Sequence, residues 1–186
     1  MDKVLLKNQP LVIPGAVVLV TAGTVDGPRD ATTIAWASNV ASEPPAVAIG
    51  VRPSRFIHEL ISKHGAFVIN LPPRAKLWEL DFCGTVSGRN VDKFQRTGLT
   101  PVPAQAVDSV MVLEFPVNLE CKVFSVVPAG SHDVFLATIV AVHAQPEVLN
   151  DRGRVDPLKF GGVAYGDGTY YALGEALGRH SFSQSK

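Results

Sequence analysis

Asp81-Phe82-Cys83-Gly84-Thr85-Val86-Ser87-Gly88-Arg89-Asn90-Val91-Asp92-Lys93-Phe94 sets two glycines among small hydroxyl residues and follows them with two cations. A loop of this kind turns backbone N–H groups toward one ligand, and Gly88 removes the side chain that would hold that ligand away. Arg89 and Lys93 add positive charge beside those donors. The combination suits a polar, electron-rich or anionic group. Val91–Phe94 reads as a helical turn that anchors the loop to a core. The competing reading is an ordinary surface loop with solvated charges.

Outward from this stretch, composition bounds the rest. The chain has 186 residues, 46% of them hydrophobic, which is enough for one well-buried core and predicts a single domain over residues 1–186. Its 17 basic and 17 acidic residues cancel, so no long-range field draws it to nucleic acid or to a membrane surface. Any anion site is therefore local. Cys83 and Cys121 lack zinc-site spacing and are too few for a disulfide framework, which points to buried thiols in a reducing cytoplasm. Lys3 and Lys7 ahead of Leu11–Val20 imitate a signal peptide, but Asp2, Asn8, Gln9, Pro10 and Pro14 interrupt it. That run is also too short to span a bilayer and is expected to be a first core strand.

Val17–Val20 is a dense β-branched run, and Asp26-Gly27-Pro28 predicts a hairpin into an extended segment over Ala31–Ala41. There Thr33, Ala35, Ala37 and Asn39 make one face nearly all small, which either admits a flat ligand or permits close sheet packing. Pro44-Pro45 starts a third strand, Ala46–Val51, apolar on both faces and expected to be covered on both. Ser54 is the expected N-cap of a helix carrying Phe56, Ile57, Leu60 and Ile61 on one face and ending at Gly65. Arg52, Ser54 and Arg55 then surround a helix N-terminus, where free N–H groups and guanidinium groups suit a phosphate; a plain cap is the alternative.

Ala66–Leu71 reads as a strand, and Pro72-Pro73 opens a second helix that delivers the chain to the Cys83–Phe94 loop. Leu99–Asp108 is a Pro- and Ala-rich connection, expected to be mobile or to lie against a partner subunit. Val117, Leu119, Cys121 and Val123 alternate with Asn118, Glu120 and Lys122, the pattern of a strand with one buried and one polar face. Val134–Val142 is apolar on both parities, from which a covering second subunit follows. Tyr165-Gly166-Asp167-Gly168 reads as a hairpin turn, and Arg179–Phe182 as a tail that is either disordered or folded over a site.

Rossmann and Gly-x-x-x-x-Gly-Lys phosphate motifs are missing, the five histidines show no ligand pairing, and neither a serine elbow nor a paired-carboxylate signature occurs. What remains is a reaction whose chemistry a cofactor supplies. In their order along the chain, Thr32-Thr33-Ile34-Ala35-Trp36-Ala37-Ser38, Pro44-Pro45, Arg52-Pro53-Ser54-Arg55, Phe67-Val68-Ile69-Asn70, Cys83-Gly84, Ser87-Gly88-Arg89, Asp92-Lys93-Phe94, Asn118-Leu119-Glu120-Cys121, Gly130-Ser131-His132 and Tyr170-Tyr171-Ala172-Leu173-Gly174 resemble the flavin reductase-like, FMN-binding split-barrel family, in particular its flavoredoxin-like branch.

The resemblance implies a mainly β fold with a few helices, a Greek-key-like antiparallel split barrel that dimerises, and FMN with NADH or NADPH as reductant. It implies that Thr32, Thr33, Ile34, Ala35, Trp36 and Ser38, with Ser87, Gly88 and Lys93, line the flavin ring. Arg52, Ser54 and Arg55 would hold its phosphate. His132 would act at the ring as a catalytic donor, with Phe160, Arg179 and His180 adding cofactor contacts. Asp30 stands where flavoredoxin-like members often carry Asn, and a carboxylate there would oppose charge on reduced flavin. The implied activity is NAD(P)H-linked flavin reduction. The alternatives are a flavin-carrying electron-transfer protein served by a redox partner protein, or a non-catalytic small-molecule-binding barrel.

Overall fold

The computed structural model describes residues 2–184. After β1 (Gly15–Ala16), β2 (Val18–Gly23) is buried along its whole length. The core strand expected from Leu11 starts later than the apolar run suggests: Leu11, Val12 and Ile13 are exposed and burial begins at Val17. The predicted hairpin carries β2 into β3 (Arg29–Ile34). The segment expected to run unbroken over Ala31–Ala41 stops at Ala35-Trp36 and resumes as β4 (Ala37–Ser42), followed by β5 (Pro45–Val51).

The helix α1 (Phe56–His64) buries Ile57, Leu60 and Ile61, and Gly65 ends it at φ 62°, its N–H returning to the Ile61 carbonyl. That left-handed cap is where glycine costs least. Ser54 is not the N-cap. Arg55 occupies that position and no side chain caps the helix. Beyond β6 (Ala66–Leu71), α2 (Leu77–Thr85) runs through Cys83 and Gly84, so the first glycine of the expected loop is helical. A Cβ on Gly84 would meet Thr33 Cβ at 3.0 Å, which makes this glycine the point where α2 lies against β3.

After α3 (Lys93–Thr97), capped by Asp92 through the Gln95 N–H, β7 (Pro101–Pro103) pairs with β8 (Val110–Val112). The Leu99–Asp108 connection is thus structured, and its backbone N–H groups at Gln105, Ala106 and Val107 bond to the Glu120 carboxylate. The long hairpin of β9 (Val117–Ala129) and β10 (His132–Ala144) follows. Last come β11 (Val163–Gly166) and β12 (Thr169–Ala172), turned through Asp167 at φ 49° and Gly168 at φ 76° as the turn residues predict.

Seven strands form one sheet in the order β3-β2-β6-β9-β10-β5-β4, every pair antiparallel. Its two edge strands, β3 and β4, are joined by only Ala35 and Trp36. A sheet whose edges are tethered this closely must curl back on itself: the Gly50 N–H donating to the Trp36 carbonyl at 2.9 Å extends the β4–β5 ladder up to the link, and β3 comes into contact with β5. The barrel is consequently split along the β3–β4 seam. Val18, Val20, Ile49, Phe67 and Phe135 fill its interior. Val17 and Leu19 face the other way, against Leu80, Cys83, Phe94 and Phe115. Each such fully buried side chain contributes about 1.5–3 kcal/mol.

The second layer also corrects the reading of β9. Asn118 and Glu120, assigned to a wet face, are buried because β7, β8 and their connection cover them. On β10 the two dry faces expected from the apolar pattern are only half realised within one chain. Val140 and Val142, with Phe124, Val126 and Val127 of β9, remain exposed. No helix among the described residues is long and apolar enough to cross a membrane.

Candidate functional site

The seam where the barrel splits is a cleft of about 350 Å³. Its wall is the end of β3 and the link after it, Thr32, Thr33, Ile34, Ala35 and Trp36. Gly50, Val51, Arg52, Arg55, Gly84, His132 and Tyr165 complete its lining. The wall is held from behind, since the Thr33 hydroxyl donates to the Leu80 carbonyl of α2. Trp36 leaves the barrel wall and is 50% exposed, its indole lying 4.4 Å from the His132 ring between centroids. Past this pair a second cleft of about 600 Å³ shares Ala35, Trp36, Gly50 and His132 and adds Ser38.

The electrostatics of the cleft are set by its two arginines and its histidine. Arg52 directly follows β5 and Arg55 is the N-cap residue of α1, so both cations stand beside a helix N-terminus that no side chain caps. Unfilled N–H donors and the positive end of the helix dipole reinforce them. His132 is held below its ordinary value of 6.5, first by partial burial and then by the positive charge of Arg52. Its ring is neutral at pH 7, with Nδ1 2.9 Å from the Ser131 hydroxyl. Nearby, Tyr170 donates to Asp81 at 2.9 Å, and burial followed by that carboxylate raises its phenol above the ordinary value.

The geometry therefore gathers Thr32, Thr33, Ile34, Ala35, Trp36, Arg52, Arg55 and His132 into one cleft, with Ser38 in its neighbour. It does not bring Lys93 there as a free cation. Lys93 is 3% exposed, donates to the carbonyls of Ala31 (2.7 Å) and Cys83 (3.0 Å) and to the Thr32 hydroxyl (3.1 Å), and lies 2.9 Å from Asp30 Oδ1. Asp30 is equally buried. Gly88 is small for their sake, because a Cβ on it would overlap the Asp30 carboxylate. The glycine that looked like an opening for a ligand is an opening for a protein side chain.

Ser87 closes its own turn, accepting the Arg89 N–H at 3.3 Å, while Gly88 and Arg89 line a separate cleft with Arg29 and Phe56. Ser54 is exposed outside the cleft lining, and Phe160 packs near Gly162. Arg179 and His180 are exposed in a tail that does not reach the cleft, with His180 turned to Ser181 at 2.9 Å. The cleft lining also includes Gly50, Val51 and Tyr165, which the sequence reading did not single out, and Gly84, which it placed in a ligand-facing loop. Gly50 and Val51 were legible as the end of an apolar strand beside Arg52, whereas only the pairing of β1 with β11 carries Tyr165 to the seam.

With this geometry in view, the likenesses are specific. The structure superposes on flavoredoxin of Desulfovibrio vulgaris (Miyazaki F) with a TM-score of 0.91 and 34% identity, covering 100% of both chains. A split barrel domain protein from Shewanella frigidimarina NCIMB 400 shares the fold at a TM-score of 0.81 and 20% identity, over 90% of this chain and 86% of that one. The flavin reductase (NADH) of Kitasatospora aureofaciens is 28% identical over 138 residues, 73% of this chain and 69% of that protein. The profile of the flavin reductase like domain matches residues 11–174. A split antiparallel barrel, a cleft at its seam and a family profile over most of the sequence agree: this chain belongs to the flavin reductase like domain family.

Proposed function

We propose that the seam cleft holds FMN and that the protein is a flavin-dependent oxidoreductase drawing electrons from NADH or NADPH. The observation that carries this reading is the shared cleft: two arginines beside an uncapped helix start line it together with the Thr32–Trp36 wall. Guanidinium groups and free N–H donors are the donor set for a terminal phosphate. The small residues on the β3 end and its link, Ala35 among them, leave room for a flat ring, and Trp36 offers it an exposed aromatic face. When bound, FMN supplies the electron chemistry. The chain's own residues would bind, orient and screen it: Arg52 and Arg55 would hold the phosphate, the β3 wall would receive the ring, and neutral His132 would offer it a hydrogen bond.

A second reading, an electron-transfer protein reduced by a redox partner protein, is favoured by the full-length likeness to a flavoredoxin. Either way a homodimer is the proposed assembly, since Phe124, Val126, Val127, Val140 and Val142 form an exposed apolar surface on the long hairpin. Titration of the protein with FMN, read by quenching of flavin fluorescence, tests the binding. Colourless protein that leaves added FMN fluorescence unchanged refutes it. Bleaching of bound flavin by NADH or NADPH under argon selects the oxidoreductase; flavin that binds but stays oxidised selects the electron carrier.

A further inference from the structure

The pair Asp30–Lys93 is buried directly beneath the cleft wall, each side chain 2% exposed. Thr32 joins it to the cleft: its hydroxyl donates to Asp30 Oδ2 at 3.1 Å, accepts from Lys93 at 3.1 Å, and Thr32 itself lines the cavity. Lys93 has three N–H bonds to give, and Ala31, Thr32 and Cys83 supply three acceptors. Asp30 is thus surplus to the hydrogen bonding of the lysine. Its Oδ1 lies 2.9 Å from Nζ yet accepts no well-formed hydrogen bond. What Asp30 adds is charge. Nor does stability call for an ion pair here, since buried pairs are often replaceable by apolar side chains of similar volume without loss. The arrangement is nevertheless enforced by Gly88, the residue type whose lack of a side chain leaves the carboxylate its space.

We infer that Asp30 is a positioning residue that cancels the Lys93 charge under the cleft and thereby lowers the preference of the site for the reduced form of a bound flavin. The inference rests on the FMN reading above. Reduction places negative charge on the ring, and an uncancelled ammonium separated from it by one threonine hydroxyl would stabilise that charge in a dry environment. Cancelled by Asp30, the same ammonium gives the two redox states nearly equal treatment. Asp30→Asn keeps shape and an acceptor toward Lys93, leaves the three lysine hydrogen bonds available, and removes the cancellation.

The test compares Kd for oxidised and for dithionite-reduced FMN, under argon, in the unsubstituted chain, Asp30→Asn and the double variant Asp30→Asn with Lys93→Met. Asp30→Asn should raise the ratio of reduced to oxidised affinity about tenfold, equivalent to about 30 mV in a two-electron midpoint. The double variant should return the ratio to within about threefold of the unsubstituted value, a pattern expected of charge and not of packing. Without FMN, thermal unfolding should show Asp30→Asn destabilised and the double variant largely restored. Gly88→Ala, which displaces the carboxylate, should move the ratio in the same direction and carries the test if Asp30→Asn does not fold. An unchanged ratio in folded variants that bind FMN overturns the inference alone. A folded, unsubstituted chain that does not bind FMN overturns the FMN reading and this inference together.

Discussion

Replacing Glu120 by Gln should cost the protein about 3–5 kcal/mol, although the side chain touches no part of the cleft. Glu120 is fully buried on β9, and its two oxygens accept four hydrogen bonds: Gln105 N–H at 2.9 Å and His143 Nε2 at 2.6 Å on Oε1, Ala106 N–H at 2.6 Å and Val107 N–H at 3.1 Å on Oε2. Bonds to a charged acceptor are worth about 1.5–3 kcal/mol against about 0.5–1.5 for a neutral one, so the two N–H bonds from Ala106 and Val107 that an amide oxygen can still accept lose roughly 1 kcal/mol each. An amide also turns an NH₂ toward one of the former donors, and an unsatisfied buried N–H costs about 1–3 kcal/mol more. Against a typical total stability of about 5–15 kcal/mol this is a large fraction.

Urea unfolding at pH 7 measures the loss, and proteolysis should open first between Ala104 and Ser109, whose backbone the carboxylate ties down. The pH dependence follows from the lowered carboxyl. Burial opposes its charge, but the Gln105 and Ala106 N–H groups and His143 together outweigh burial and hold it below its ordinary 4.5. A group lowered on folding adds stability above its unfolded value and loses it as pH falls through the folded one. The difference between the two proteins should therefore be full at pH 7 and shrink below pH 4.5. A loss under about 1 kcal/mol, or a difference independent of pH down to 3, refutes the reasoning.

Arg52→Ala should weaken FMN binding about 10–100-fold, the value of one or two charge-assisted bonds, and Arg55→Ala should do the same; fluorescence titration checks both, and unchanged Kd values remove these residues from the phosphate site. His132 should titrate by NMR below 6.5 and move upward in Arg52→Ala, because burial acts first and the neighbouring guanidinium second. Its lowered value also means that stability falls as pH drops below 6.5, where the unfolded chain takes the proton more readily. Cys83 and Cys121, whose thiols burial pushes up to about 12, should resist thiol reagents at pH 8 in the native state and react only after unfolding.

The order of elements was legible in the sequence because each rests on local chemistry. The β-branched run at Val17–Val20, the turn at Asp26-Gly27-Pro28, the helix closing at Gly65 and the Asp167-Gly168 hairpin are all signals carried within a few residues of where they act. Arg52 and Arg55 were equally legible, since a strand end followed by a helix start sets them together whatever the rest of the chain does. Cap geometry was not: Arg55, one position later than Ser54, begins α1 without side-chain help.

Tertiary structure alone decided what the residues around Gly88 are for. In sequence, Gly88 and Lys93 read as an open, cationic loop, because nothing local announces that Asp30, far back in the chain, folds beneath them. Burial of Asn118 and Glu120 likewise depends on β7 and β8 crossing over β9, which no alternation pattern contains. The seam itself is such a product: Ala35 and Trp36 read as part of one continuous extended segment until β3 and β4 prove to be opposite edges of one sheet. Local sequence specifies elements through spacing and turn chemistry, whereas the site arises where distant edges meet, and that meeting is fixed by strand order and packing.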